Sequence, residues 1–257
     1  MKRTIKHRAL AVTTLTVVAL TGVRWANASP SPSPESTGYA DCPIPTGAEP
    51  IDLSLYDFKA SVTNRLWPMA PGTHWRFRES DTEGGHQRND VTVLERTKLV
   101  DGVTTTVVHD ATVEHRRLVE NTFDWYAQDK CGNVWYFGEN TRAFNRRGGV
   151  SREGSWEAGV DGALPGVIVP AEPVVGLHYR QEYLAGQAED RARILSVDER
   201  ASAPAGFYRH TVLTAESTAL EPRVSEYKFL APGFGPVLAV SVSGESDREE
   251  LVHVAVP

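Results

Sequence analysis

From Trp67 onward, apolar and polar residues alternate with a period of two, the pattern of strands with one buried face. Residues 73–78 put Trp75 and Phe77 on a common face. Residues 89–100 and 103–113 are β-branched runs separated by Asp101-Gly102 alone, a pair that favours the positive φ angles of a two-residue hairpin turn. The stretches 177–183, 189–200, 206–216, 224–230, 237–243 and 249–256 repeat the alternation and end on turn residues. Ahead of them, residues 51–66 carry Leu53, Leu55, Phe58, Val62 and Leu66 at mixed spacing and have room for one short helix. The chain therefore reads as all-β: an antiparallel barrel or sandwich of about ten strands, with at most one short N-terminal helix. A barrel is the preferred form, because so many sequential strands in one domain need their edges removed.

Residues 123–144 are the densest part of this pattern. Seven of their 22 positions are aromatic, and two aromatic runs flank the polar Asp129-Lys130-Cys131-Gly132-Asn133, which predicts another hairpin. Alternation puts Phe123 with Trp125 and Trp135 with Phe137, while Asp124 goes with Tyr126, and Tyr136 opposes its Trp and Phe neighbours. The Phe/Trp face is expected to pack inward and the Tyr/Asp face to present its polar groups together. Inside an incompletely filled barrel, such a wall makes an apolar pocket with a few hydroxyl donors. Residues 159–176, GVDGALPGVIVPAEPVVG, are too broken by Gly and Pro for a strand or helix, yet they carry Leu164, Val167, Ile168 and Val169. An apolar loop of this length is expected to fold over something, as a plug in one barrel end or as a lid over a ligand mouth.

The N-terminus changes the compartment. Lys2, Arg3, Lys6 and Arg8 precede an apolar run over residues 9–23, and Ala26-Asn27-Ala28 supplies the small residues of a cleavage site, so residues 1–28 read as a secretory signal peptide. The run falls short of the roughly 20 residues that span a bilayer, and no later segment is long enough, so no transmembrane segment is expected after cleavage. Residues 29–50 hold six prolines and read as an extended Pro/Ser-rich linker, leaving 51–257 as a single β-barrel-like domain that is secreted or extracytoplasmic. Taking the five Lys and Arg of residues 1–28 from the total of 27 leaves 22 basic against 33 acidic side chains, a balance that repels phosphate backbones and argues against nucleic-acid binding. In an oxidising exterior, Cys42 and Cys131 either pair or stay as thiols. A bridge would tie the N-terminal segment to the aromatic hairpin's loop and close a loop worth roughly 3–5 kcal/mol. There is no CxxC, no HExxH and no Cys/His cluster at zinc spacing, so no metal or cofactor is expected.

Several stretches together resemble one family: DWYAQD (124–129), GNVWYFGE (132–139), GSWEAGVDGALPG (154–166), YRQEY (179–183), GQAED (186–190) and YKFLAPGFGPV (227–237). They are similar to a family of exported actinobacterial proteins, and WPMAPGTHW (67–75) is similar to the opening these share with other secreted β-rich modules. The resemblance implies a β-rich fold and brings no established active site. Some relatives are associated with polyether and tetronate polyketide antibiotic biosynthesis, where β-barrel proteins act as cyclases of the Diels–Alder type. Cys131 departs from the family, whose members carry a polar residue at that loop position, so a disulfide there would be particular to this chain.

No nucleophile elbow and no phosphate-cradling glycine loop is present, and the histidines are scattered. Asp124, Glu139, Glu157, Asp161 and Glu182 lie in or beside the densest motifs, where paired carboxyls in an apolar cleft would split their pKa values. Two functions fit this inventory. The first is a cofactor-independent cyclase that folds a hydrophobic polyketide for pericyclic ring closure, which needs preorganisation rather than a nucleophile. Tyr126, Tyr136, Tyr183 and Glu182 would be its proton donors, and Trp125, Trp135, Phe137, Trp156, Leu164 and Ile168 would shape the ligand site. The alternative is an exported protein that binds a lipophilic small molecule without changing it, or a secreted structural or interaction module with a filled barrel.

Overall fold

The computed structural model describes residues 41–82, 84–243 and 247–257. The signal peptide and residues 29–40 of the predicted linker lie outside the described residues. The N-terminal part of the sheet comprises β1 (His74–Ser80), β2 (His86–Val100), β3 (Val103–Glu114), β4 (Arg117–Gln128) and β5 (Val134–Phe144). Short strands follow: β6 (Val150–Ser151), β7 (Trp156–Glu157), β8 (Leu164–Val169), β9 (His178–Arg180) and β10 (Glu182–Tyr183). The C-terminal part is β11 (Asp190–Ala203), β12 (Gly206–Thr218), β13 (Ser225–Ala231), β14 (Gly235–Ser243) and β15 (Arg248–Ala255).

The fold is all-β, with fifteen strands among the described residues where about ten are expected. The excess is mostly strands of two or three residues, too short to show a period. Asp101 and Gly102 take φ angles of 46° and 78°, and Val100 pairs with Val103 across them, as the dipeptide predicts. The one short helix expected is a single 3-10 turn, Leu53–Leu55, capped by the Asp52 carboxylate on the Ser54 N–H.

Successive antiparallel hairpins run from β1 to β5 in one direction and from β15 to β11 in the other, and β1 joins β15. β8 extends the first arm by pairing with β5, and β9 extends the second by pairing with β11. Because β10 pairs with β8, the stretch from β9 through Gln181 to β10 links the two arms, and the sheet forms a nearly closed barrel. Residues 159–176, expected to be too broken for a strand, contain β8. Val167 and Val169 are fully buried, and Pro165 and Pro170 sit near the ends of the short ladder, where a missing N–H costs least.

Residues 41–66 form a strap over the outside of β4, β5 and β8. Cys42 is bonded to Cys131 across 89 positions, and the Tyr56 hydroxyl donates to the Pro43 carbonyl. Lys59 forms a backbone bridge to Gln128. The buried Arg180 guanidinium donates to the carbonyls of Glu49 in the strap and Pro165 in β8. The stretch expected as linker is therefore anchored from Cys42 onward by the disulfide and these carbonyl contacts, while most of residues 46–50 stays exposed. At the base of the barrel, Trp67 sits with its ring 6.5 Å from Trp75 and 5.9 Å from Tyr126. A Cβ on Gly235 would come within 2.4 Å of the Trp67 ring, so that position has to be glycine for the indole to fit.

Candidate functional site

One irregularity in β5 builds the site. Asp124 of β4 faces Glu139 and Tyr126 faces Tyr136, so Phe137 and Gly138 together oppose the single residue Trp125. This is a β-bulge, and it turns Tyr136 and Glu139, three positions apart, toward the same side of the sheet. Gly138 makes it possible: its φ is 124°, and a Cβ there would lie 2.3 Å from the Trp156 carbonyl oxygen of β7.

The side that receives these groups is the barrel interior. Around the ring, Phe77 of β1 stands opposite Asn89 of β2, Asp110 of β3 opposite Thr122 of β4, and Asp124 opposite Glu139. Glu182 of β10 accepts a 2.8 Å hydrogen bond from the Trp156 indole. Asp190 of β11 pairs with Thr218 of β12, and beyond it Lys228 of β13 holds Glu216 of β12 at 2.5 Å and Glu226 at 3.6 Å. The result is a belt of carboxyls around the lumen, above an aromatic floor of Trp67, Trp75 and Tyr126. Asp110, Glu139, Glu182 and Asp190 remain partly accessible although protein surrounds them, which is the condition of groups lining an interior space.

The belt is electrically uneven. On the wall from Asp110 to Glu182 the hydrogen-bond partners are neutral. Asn89 Nδ2 donates to Asp110 at 3.1 Å, the Tyr136 hydroxyl to Asp124 at 2.8 Å, and Trp156 to Glu182. Burial pushes the Glu139 carboxyl up to about 8, reinforced by Glu182 and Glu120 and opposed by hydrogen bonds from Thr141 and Tyr136. Burial also carries Asp110, Asp124 and Glu182 well above the carboxylate range, with neighbouring carboxylates adding to it in each case. Burial raises Asp190 to about 6, opposed by a hydrogen bond from Thr218 and, less, by the Lys228 charge. Burial and then the nearby carboxylates keep the Tyr126 and Tyr136 phenols protonated. Asn89 Oδ1 and Asp110 Oδ1 are buried and take no hydrogen bond from another described residue; with the Asp110 carboxyl protonated, its O–H is a donor for this pair.

The predicted site residues divide between the two faces. Tyr126, Tyr136, Trp156 and Glu182 come together at the lumen, with the Tyr126 and Tyr136 rings stacked at 5.0 Å and Tyr136 edge-on to Trp156 at 5.3 Å. Trp135 and Phe137 are on the other face, fully buried beneath Tyr56 and Phe58 of the strap. Trp125 is also on that outer face, under Lys98, whose ammonium lies 3.3 Å from the ring centre and pairs with Glu157. Leu164 and Tyr183 face each other in the β8–β10 ladder, and Ile168 packs half-buried against the core. The expected orientation of the aromatic hairpin is thus reversed, because the strap supplies a second apolar layer outside the barrel.

Asp129 explains much of the hairpin's sequence. Its carboxylate accepts hydrogen bonds from the backbone N–H groups of Cys131 and Asn133, the Asn133 amide and the Trp135 indole, so it shapes the β4–β5 turn. Asp161 is exposed in a turn. Asn89, Asp110, Asp190 and Lys228 join the site without a signal beyond strand alternation. Among the described residues, three possible metal-ligand atoms converge within 4.8 Å at Cys42, Asp129 and Cys131, where the sulfurs are committed to the disulfide. Two open concavities, of about 460 and 390 Å³, lie at the barrel rim beside Arg88 and Arg116 and beside Arg117 and Arg146. Neither contains a predicted site residue. No helix among the described residues is long and apolar enough to cross a membrane.

No family model matches the chain, and no curated protein matches it. Among solved structures it is similar to a candidate lipoprotein from Parabacteroides distasonis, 11% identical, with a TM-score of 0.43 over 75% of this chain and 99% of that chain. It is also similar to a candidate exported protein with YmcC-like fold from Bacteroides fragilis, 11% identical, with a TM-score of 0.41 over 74% of this chain and 98% of that chain. Neither likeness assigns a site.

Proposed function

We propose that this chain is an exported binding protein that holds a largely lipophilic small molecule in the barrel lumen without changing it. The observation that carries this reading is the convergence of Tyr126, Tyr136 and Trp156 with Asp124, Glu139 and Glu182 above the Trp67–Trp75 floor. A few polar groups gathered over an aromatic base are the usual composition of a small-molecule site. Export rests on residues 1–28 and suits a carrier better than an enzyme acting on precursors made inside the cell.

The cofactor-free cyclase is a second reading, favoured by one observation. The Tyr136 phenol stays protonated and stands beside Glu139, whose carboxyl ionises at about 8, so two proton donors face one part of the lumen. Such donors would polarise a substrate carbonyl as charge develops. One experiment separates the readings: mature protein is incubated with a culture extract, repurified, and the bound and free compounds are compared by mass spectrometry. Retention of an unchanged compound supports the carrier and conversion supports the cyclase. If no compound is retained or converted, both readings fail.

A further inference from the structure

We propose that the barrel docks on the surface of an anionic lipid bilayer through the outer wall beside its mouth, with Val119, Phe144 and Val150 at the interface and Arg116, Arg117, Arg146 and Arg147 on the lipid headgroups. This goes beyond the reading of the lumen and does not depend on it.

The wall alternates apolar and cationic side chains over three strands. Arg117 and Val119 of β4 and Phe144 of β5, with Arg146 after it, line one open concavity of about 390 Å³. Residues two apart in a strand share a face, so Val119 has Arg117 beside it and Phe144 stands between Arg142 and Arg146. Val150 of β6 pairs with Phe144 and is 55% exposed, which carries the apolar row onto a third strand.

The charge runs against the balance of the chain. Residues 114–117 and 142–153 hold six arginines against Glu114 and Glu153, in a chain with 27 basic and 33 acidic side chains. Among the described residues, Glu114 is shared between His115 and Arg146, and Arg116, Arg117, Arg142, Arg147 and Arg152 have no carboxylate partner. The β3–β4 turn adds a second sign. His115 and Arg116 take φ angles of 49° and 64°, the conformation that the β2–β3 turn fills with Asp101-Gly102. A His-Arg pair there costs stability and projects two basic side chains from the tip, and such local strain is a mark of function.

Charge and apolar exposure together select the partner. Arginines alone would suit any polyanion, whereas headgroup attraction combined with apolar side chains at the boundary is what holds a protein at a bilayer interface. Tyr126, toward the other end of β4, lies beside Trp67, so the docking end is the one away from the aromatic floor. Other turns at this end carry Asp81 and Glu189, which face away from the lipid when the barrel leans on β4, β5 and β6. The export expected from residues 1–28 brings the chain to such a surface.

The test is flotation of the mature protein with vesicles of phosphatidylcholine and with vesicles that also contain phosphatidylglycerol, beside a separate measurement of binding to soluble polyphosphate. The phosphatidylglycerol vesicles should bind at least about tenfold more tightly than phosphatidylcholine alone, and less tightly as sodium chloride is added. Arg116→Gln with Arg117→Gln, and Arg146→Gln with Arg147→Gln, each confirmed folded by circular dichroism, should weaken that binding about tenfold or more. Val150→Ser, at an exposed position, should weaken it about threefold. Arg193→Gln with Arg209→Gln makes the same charge change at exposed arginines of β11 and β12 and should leave binding unaltered. Equal binding to both kinds of vesicle, or an equal loss in the Arg193 and Arg209 variant, overturns the proposal. Vesicle binding that Val150→Ser leaves unaltered removes the apolar contact, and polyphosphate bound as tightly as vesicles replaces the bilayer with a soluble polyanion; either result also overturns it.

Discussion

Replacing Glu139 by Gln keeps the side chain's shape and removes its proton equilibrium, so the effect on stability should depend on pH. The groups that face Glu139 are Glu182 from β10, Glu120 and Asp124 from β4, and Tyr136 and Thr141 from its own strand, with Trp156 of β7 paired beside it. Glu139 ionises at about 8 in the folded chain, against 4.5 for an ordinary glutamate. The folded value is the higher one, so folding favours the protonated form. This contribution is complete below about pH 4.5 and is lost as the pH rises through about 8. A difference of about 3.5 between the two values, at 1.36 kcal/mol for each, sets an upper limit of about 5 kcal/mol. Water in the lumen screens part of this and leaves about 2–4 kcal/mol. The assay is urea denaturation of the wild type and Glu139→Gln. At about pH 5 the two should agree within about 1 kcal/mol, and at about pH 9 the variant should be the more stable by about 2–4 kcal/mol. A difference that stays constant across this range would mean that the carboxyl is solvated like a surface group, which would refute the buried belt.

Other perturbations test the scaffold. Cys42→Ser with Cys131→Ser opens a loop of 89 positions and should cost about 2–5 kcal/mol in denaturant unfolding; a loss below about 1 kcal/mol would show that the strap holds without its bridge. Asp129→Ala strips the Trp135 indole of its acceptor in a fully buried site and should cost about 2–4 kcal/mol with a change in tryptophan fluorescence; an unaltered spectrum would argue against this turn network. Gly138→Ala meets both a positive φ and the Trp156 carbonyl, so it should cost at least about 2 kcal/mol and lower ligand retention; a neutral result would mean that the bulge tolerates a Cβ.

Much of the strand layout can be read from alternation, because period two is the direct record of one buried face. The Asp101-Gly102 turn and the long strands β2, β3, β11 and β12 follow from it with their ends displaced by a few residues. What alternation cannot supply is direction. It separates Tyr126 and Tyr136 from Trp125 and Trp135, yet the choice of which set faces the lumen depends on the strap, whose Tyr56 and Phe58 cover the Trp135 side. Inward carboxyls such as Asp110 and Asp190 look in the sequence like the solvent side of an ordinary strand. β8 was hidden for a different reason: its Gly and Pro residues obscure a ladder that β5 and β10 impose from both sides. The bulge at Gly138, which brings Tyr136 and Glu139 together, is passed over by a reading of alternation alone.

The most direct test of the account is a carboxyl-detected NMR titration of Glu139. The account predicts a midpoint of about 8. A Glu139 that titrates near 4.5 would contradict it.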